Sequence, residues 1–216
     1  MREFVIVTGM VLKAEPIGEY DKRVVILTGE RGKISAFAKG ARRPGSRLMA
    51  ATNPFSFGQF KLYEGRSSYN ISEAYIRNYF EELREDYVGA YYGLYFLETA
   101  DYYTRENNDE IMMLKLLYQS LKALLHKKLP NELVRCVFEL KAVAVNGEFP
   151  GAPSGDNFQD STLYAVDFIG KAPIEKLYTF LVSEEVLEEL QHIAADFCRR
   201  FIDRKLKSLE ILESLC

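Results

Sequence analysis

The sequence predicts an α+β protein: an N-terminal β-barrel of five strands in residues 1–79, followed by an all-helical domain in residues 80–216. Three observations predict it. Apolar residues alternate with period two through most of the first eighty positions, the mark of strands. Beyond them, apolar residues recur at the three- and four-residue spacing of amphipathic helices. Charge is also sorted between the two parts. Residues 1–80 hold 13 Lys and Arg against 7 Asp and Glu, a net of +6, whereas residues 81–216 hold 15 against 24, a net of -9.

In the first strand Phe4, Ile6, Thr8, Met10 and Leu12 share one face, while Val5, Val7 and Val11 share the other. Both faces are largely apolar, as in a barrel or sandwich strand. Pro16 and Gly18 mark a turn. The β-branched run from Lys22 to Thr28 and the alternating run from Lys33 to Lys39 are joined by Gly29-Glu30-Arg31-Gly32, a hairpin connection. Ile34, Ala36 and Ala38 face one way; Lys33, Ser35, Phe37 and Lys39 face the other. Residues 40–53 carry Gly, Pro and Ser without alternation and predict a loop. A fourth strand runs from Phe55 to Tyr63 with a bulge at Gly58, and a fifth from Ser68 to Arg77. Five strands in about eighty residues fit an OB-type barrel, and a small SH3-like barrel would explain the pattern nearly as well.

The helical part opens with Tyr87, Tyr91, Tyr95 and Tyr102 near helical spacing, an aromatic stripe read as helix packing. Asn107-Asn108-Asp109 caps a second helix running to Leu125, Pro130 begins a third, and Asn146-Gly147 ends it. Residues 148–174 read as an irregular insert in which only Leu163 to Ile169 looks extended. Ser183 caps a last long helix whose apolar face continues to Ile202 and whose end holds Arg199, Arg200, Arg204, Lys205 and Lys207. Cations there offset the negative end of the helix dipole, or present a second basic surface suited to an acidic partner peptide.

Charge supplies the functional signal. Arg31, Lys33, Lys39, Arg42, Arg43 and Arg47 fall in a stretch without an acidic residue, on a chain whose formal net charge is -3. A basic patch on an acidic protein points to a polyanion-binding surface. OB barrels bind single strands with cations along the backbone and aromatics under the bases. Phe37 is then a candidate stacking platform, with a buried core position as its alternative.

The same residues exclude other classes. No phosphate-binding glycine loop, nucleophile elbow or paired histidine is present. His126 and His192 stand alone, and Cys136, Cys198 and Cys216 form no C-x-x-C pair, so neither catalysis nor a metal or other cofactor is expected. Sparse cysteines, interrupted apolar runs and an alternating start rather than a leader predict a cytoplasmic protein with no membrane span.

The order of features resembles the bacterial RecO family of DNA repair proteins. The resemblance rests on Val5-Ile6-Val7-Thr8-Gly9 through Lys13, on Tyr20-Asp21, and above all on the stretch from Gly32 to Arg43. It continues through Pro54 to Tyr63, Phe138-Glu139-Leu140-Lys141 with Gly147, and Arg204-Lys205-Leu206-Lys207-Ser208. It implies an OB domain on a helical domain that binds single- and double-stranded DNA without catalysis. It further implies strand annealing and, with RecR and RecF, the loading of RecA onto DNA coated by single-strand-binding protein, whose acidic C-terminal tail is also a partner. By position, Lys33, Lys39, Arg42, Arg43 and Arg47 would contact phosphates. Many family members carry a four-cysteine zinc module after the helix ending at Gly147; residues 148–173 here contain no cysteine. A different class stays open: an interaction adaptor whose barrel and basic loop hold an acidic peptide.

Overall fold

The computed structural model describes residues 4–65, 68–154 and 158–215. Met1–Glu3, residues 155–157 of the predicted insert and Cys216 therefore lie outside the described residues. The chain divides into two compact units, one made of the residues up to Glu81 with Leu97–Leu114, the other of Glu82–Phe96 with the residues from Lys115 onward.

In the first unit β1 (Phe4–Ile17), β2 (Asp21–Thr28), β3 (Gly32–Ala38), β4 (Phe57–Glu64) and β5 (Tyr69–Asn78) close into a barrel in the order β1-β2-β3-β5-β4. All neighbours are antiparallel except β3 and β5, which pair in parallel at Ala36 with Tyr69 and Phe37 with Asn70. This is the predicted OB-type barrel. Its core holds Val7, Val11, Val24, Ile26, Ile34, Ala36, Ala38, Phe60, Leu62 and Ile71.

The two apolar faces of β1 resolve differently along its length. Val5 and Val7 turn toward the core, whereas Phe4 and Ile6 point outward and are 52% and 55% exposed. A register shift between Val11 and Lys13 then turns the strand, so that Met10, Val11 and Leu12 are all buried. Gly58 stands where the register of β4 against β5 slips.

Residues 97–114 join the barrel unit through β3. The Lys33 N–H donates to the Arg105 carbonyl, the Asn107 N–H donates to that of Arg31, and Gly32 bridges Glu106. Gly32 has φ +64°, and a Cβ there would lie 2.3 Å from the Arg105 carbonyl oxygen, so only glycine serves.

The helices are α1 (Leu48–Ala51) within the β3–β4 connection, then α2 (Glu81–Glu85), α3 (Tyr87–Tyr103), α4 (Ile111–Leu124), α5 (Asn131–Val145), α6 (Asp160–Lys171), α7 (Glu184–Phe201) and α8 (Lys207–Leu215). In the second unit α5 is buried along most of its length. Phe138 of α5 stacks on Phe96 with ring centroids 4.2 Å apart, and both α6 and α7 pack on α5. Buried Glu139 of α5 accepts a 2.6 Å hydrogen bond from the Tyr95 hydroxyl and pairs with Arg135 at 2.8 Å.

Two expectations change here. Leu163–Ile169 is not extended: it lies inside α6, so the insert is irregular mainly before Asp160. Thr162, Ala165, Val166 and Ile169 are buried at helical spacing, and the β-branched and aromatic composition had mimicked a strand. Lys141 of α5 donates to the carbonyls of Gly170 and Ala172 at one end of α6, and Glu189 of α7 accepts from the Gln159 N–H and the Thr162 hydroxyl at the other. The last long helix also stops sooner than predicted. Phe201 ends α7, Ile202 is extended, and Arg204 and Lys205 fall between helices, so among these cations only Arg199 and Arg200 can offset its dipole.

Candidate nucleic-acid interface

The basic loop is built rather than loosely tethered. Ala41, near its start, is completely buried and packs into the barrel core. The Asp21 carboxylate accepts from the Gly40 N–H at 2.7 Å, and Gly40 adopts φ +66° as the chain leaves β3. The Arg42 N–H donates to the Tyr20 carbonyl, the Arg43 N–H to Gly40 and the Ser46 N–H to Arg43. From β2, Lys22 reaches the Met49 carbonyl at 3.1 Å and the Asn53 side chain at 2.7 Å. These bonds consume one cation to pin the loop and leave others outward.

The six basic residues consequently separate. Lys39, Arg42, Arg43 and Arg47 are exposed, and among the described residues none of them makes an ion pair. Arg43 lies over the Tyr20 ring at 5.1 Å, a cation–π contact that orients the guanidinium. Arg31 instead pairs with Glu64 at 2.7 Å and reaches the Tyr69 hydroxyl at 3.2 Å.

Lys33, an expected phosphate contact, has a partner within the protein. Its ammonium pairs with the Asp101 carboxylate at 2.9 Å and donates to the Asp101 carbonyl, with both side chains largely covered. This pair fastens residues 97–114 to β3. Phe37 is half-buried on the outer barrel face, not in the core. It stands opposite Arg23 of β2, whose Nε donates to Ser35 at 3.1 Å. Arg23 and Tyr20 escaped the sequence reading as site residues. Arg23 could have been found by carrying the alternation of β2 across the hairpin; Tyr20 entered only through the Tyr20-Asp21 resemblance, with no role attached to it.

In the second unit Arg199 and Arg200 share Asp196 at 3.8 and 2.6 Å, and Lys205 faces Glu210 at 3.9 Å. A cavity of about 340 Å³ there is lined by Ile202, Leu206 and Leu209 together with Arg199, Arg204 and Lys205 and the carboxylates of Glu210 and Glu213. Among the described residues no cluster of His, Cys, Asp or Glu is placed to hold a metal ion, and the cysteine-free residues 148–173 offer no counterpart to a four-cysteine zinc module. No helix among them is long and apolar enough to cross a membrane.

The barrel topology and the helices that follow define an OB-barrel protein with a helical domain, with four exposed, ion-pair-free cations gathered on one barrel loop. Comparison with known proteins gives that class a family. Residues 1–80 match the family described as Recombination protein O N terminal, and residues 84–151 match Recombination protein O C terminal. The DNA repair protein RecO of Alkaliphilus metalliredigens is 37% identical over 66% of this chain and 58% of its own length. Those of Acetivibrio thermocellus and Clostridium perfringens are 26% and 27% identical over nearly the full length of both chains, 96% of each for the first and 95% and 96% for the second. The chain belongs to the RecO family of DNA repair proteins.

Proposed function

We propose that this protein is a non-catalytic recombination mediator. It binds single-stranded DNA through the barrel, anneals complementary strands and helps load RecA onto DNA coated with single-strand-binding protein. Duplex DNA and RecR are further partners in this reading. The observation that carries it is the set of four exposed cations, Lys39, Arg42, Arg43 and Arg47, on a loop held in place by Ala41, Asp21 and Lys22. Cations on a preorganised loop can follow a phosphate backbone without the cost of ordering the loop on binding.

The cavity around Arg199, Arg204 and Lys205 supports a second contact in the same reading. Three cations at its wall suit an acidic peptide such as the tail of single-strand-binding protein, which would compete with Glu210 for Lys205. Work at the DNA fits a cytoplasmic, nucleoid-associated protein. The adaptor alternative, in which the basic loop holds an acidic peptide instead of DNA, predicts a shallower salt dependence.

An annealing assay tests the proposal. Complementary strands coated with single-strand-binding protein should anneal faster with the wild-type protein than with Arg42→Glu/Arg43→Glu. Deleting the acidic tail of the coating protein should remove the acceleration. Equal rates with and without the wild-type protein would contradict the mediator reading.

A further inference from the structure

The outer face of β1, β4 and β5 carries aromatic rings among cations, which neither charge counting nor the basic loop accounts for. The pairing aligns Phe4 with Tyr63, Ile6 with Lys61, and Thr8 with Gln59. On the other side of β4, Lys61 stands opposite Glu73 and Gln59 opposite Tyr75. Tyr75 is 63% exposed and Phe4 52%. A tyrosine and a phenylalanine left this open on a barrel with a filled core do not serve packing.

Each ring has a cation at hand. The Lys61 ammonium lies 4.6 Å from the centre of the Phe4 ring. Arg77 is exposed two residues after Tyr75 on the same strand face. Arg47, at the end of the basic loop, caps α1, which packs on β5. Glu73 on this face is already engaged, by Lys61 at 3.0 Å and by the Tyr75 hydroxyl at 2.7 Å. The face is therefore continuous with the basic loop through Arg47.

We infer that a single strand of nucleic acid continues from the basic loop across the outer face of β1, β4 and β5, stacking bases on Tyr75 and Phe4 while Arg47 and Arg77 meet its phosphates. The inference deepens the DNA-binding reading and rests on it. Strand spacing and rise place the two rings roughly 16 Å apart, so they serve different bases. A purely apolar docking partner would have no use for the cations beside the rings. A duplex could meet the cations but not the rings, because its bases are already stacked.

The test compares Phe4→Ala, Tyr75→Ala and Tyr75→Phe in binding a labelled thymine strand, an abasic strand of equal length and a duplex. Both substituted positions are surface positions, and thermal melting checks that the barrel stays folded. Each Ala variant should bind the thymine strand about tenfold more weakly, with an unchanged salt slope. Both should bind the abasic strand and the duplex as the wild type does, and Tyr75→Phe should keep full affinity. Wild-type affinity of both Ala variants for the thymine strand would overturn the inference. So would equal losses on all three probes, which would mark the rings as structural. If Arg42→Glu/Arg43→Glu binds normally while Tyr75→Ala fails, the face stands and the loop assignment falls. If the wild type binds no DNA, both fall.

Discussion

The Lys33 ammonium is 2.9 Å from the Asp101 carboxylate, a residue 68 positions further along the chain. The pair joins β3 to residues 97–114 within the barrel unit, beside the backbone bonds of Arg31 and Lys33 to Asn107 and Arg105. A lysine in the most recognisable stretch of the sequence therefore has a structural task. Its neighbours Lys39, Arg42 and Arg43 remain outward.

That division gives the first prediction. Lys33→Gln should lower stability by about 1 kcal/mol, the scale of a charge-assisted hydrogen bond in a partly covered pair. It should leave the affinity for DNA and its salt slope unchanged. Lys39→Gln should do the reverse. Urea unfolding and binding titrations on the same two variants decide it.

The second concerns the buried polar cluster of the helical unit. Glu139 is 4% exposed and depends on Arg135 and the Tyr95 hydroxyl. Burial, followed by the charge of Glu139, raises the Tyr95 hydroxyl well above its ordinary value, so it stays a donor at any working pH. Arg135→Met strands the carboxylate and should cost about 3–5 kcal/mol. Adding Glu139→Leu should restore most of the loss, which a double-mutant cycle by chemical unfolding would measure.

A third follows from how α5 holds the end of α6. The Lys141 side chain fastens the Gly170 and Ala172 carbonyls. Lys141→Met should destabilise the protein by about 1–2 kcal/mol and speed amide exchange within α6 before other helices. Melting temperature should not change on adding a chelator.

A fourth is chemical. Cys136 is 1% exposed, and burial, then the charge of Glu139, pushes its thiol far up. Thiolate is the reactive species. Iodoacetamide at pH 8 should leave Cys136 unmodified in the folded protein and label it fully in denaturant, as read by peptide mass spectrometry.

Legibility in the sequence followed the range of the forces. The alternation of Ile34, Ala36 and Ala38 against Lys33, Ser35 and Phe37 is local, and β3 has those two faces. The caps of α5 and α7 at Pro130 and Ser183 are local too. What escaped depends on distant partners. Lys33 looked free because Asp101 lies 68 residues away. Leu163–Ile169 looked extended because the donors and acceptors that fasten α6, Lys141 and Glu189, come from α5 and α7. The outward turn of Phe4 and Ile6 depends on which face of β1 meets the core, which two apolar faces left undecided. The basic loop was visible as composition, but its order, set by Ala41 and Asp21, was not.

The most direct test of the central claim is the anisotropy of a labelled single strand titrated across a salt series, wild type beside Arg42→Glu/Arg43→Glu. The four loop cations contribute about -2.8 to the slope of log affinity on log salt, so losing two should make the slope shallower by about 1.4, with weaker binding throughout. Identical affinity and slope for the two proteins would contradict the assignment of the basic loop to DNA.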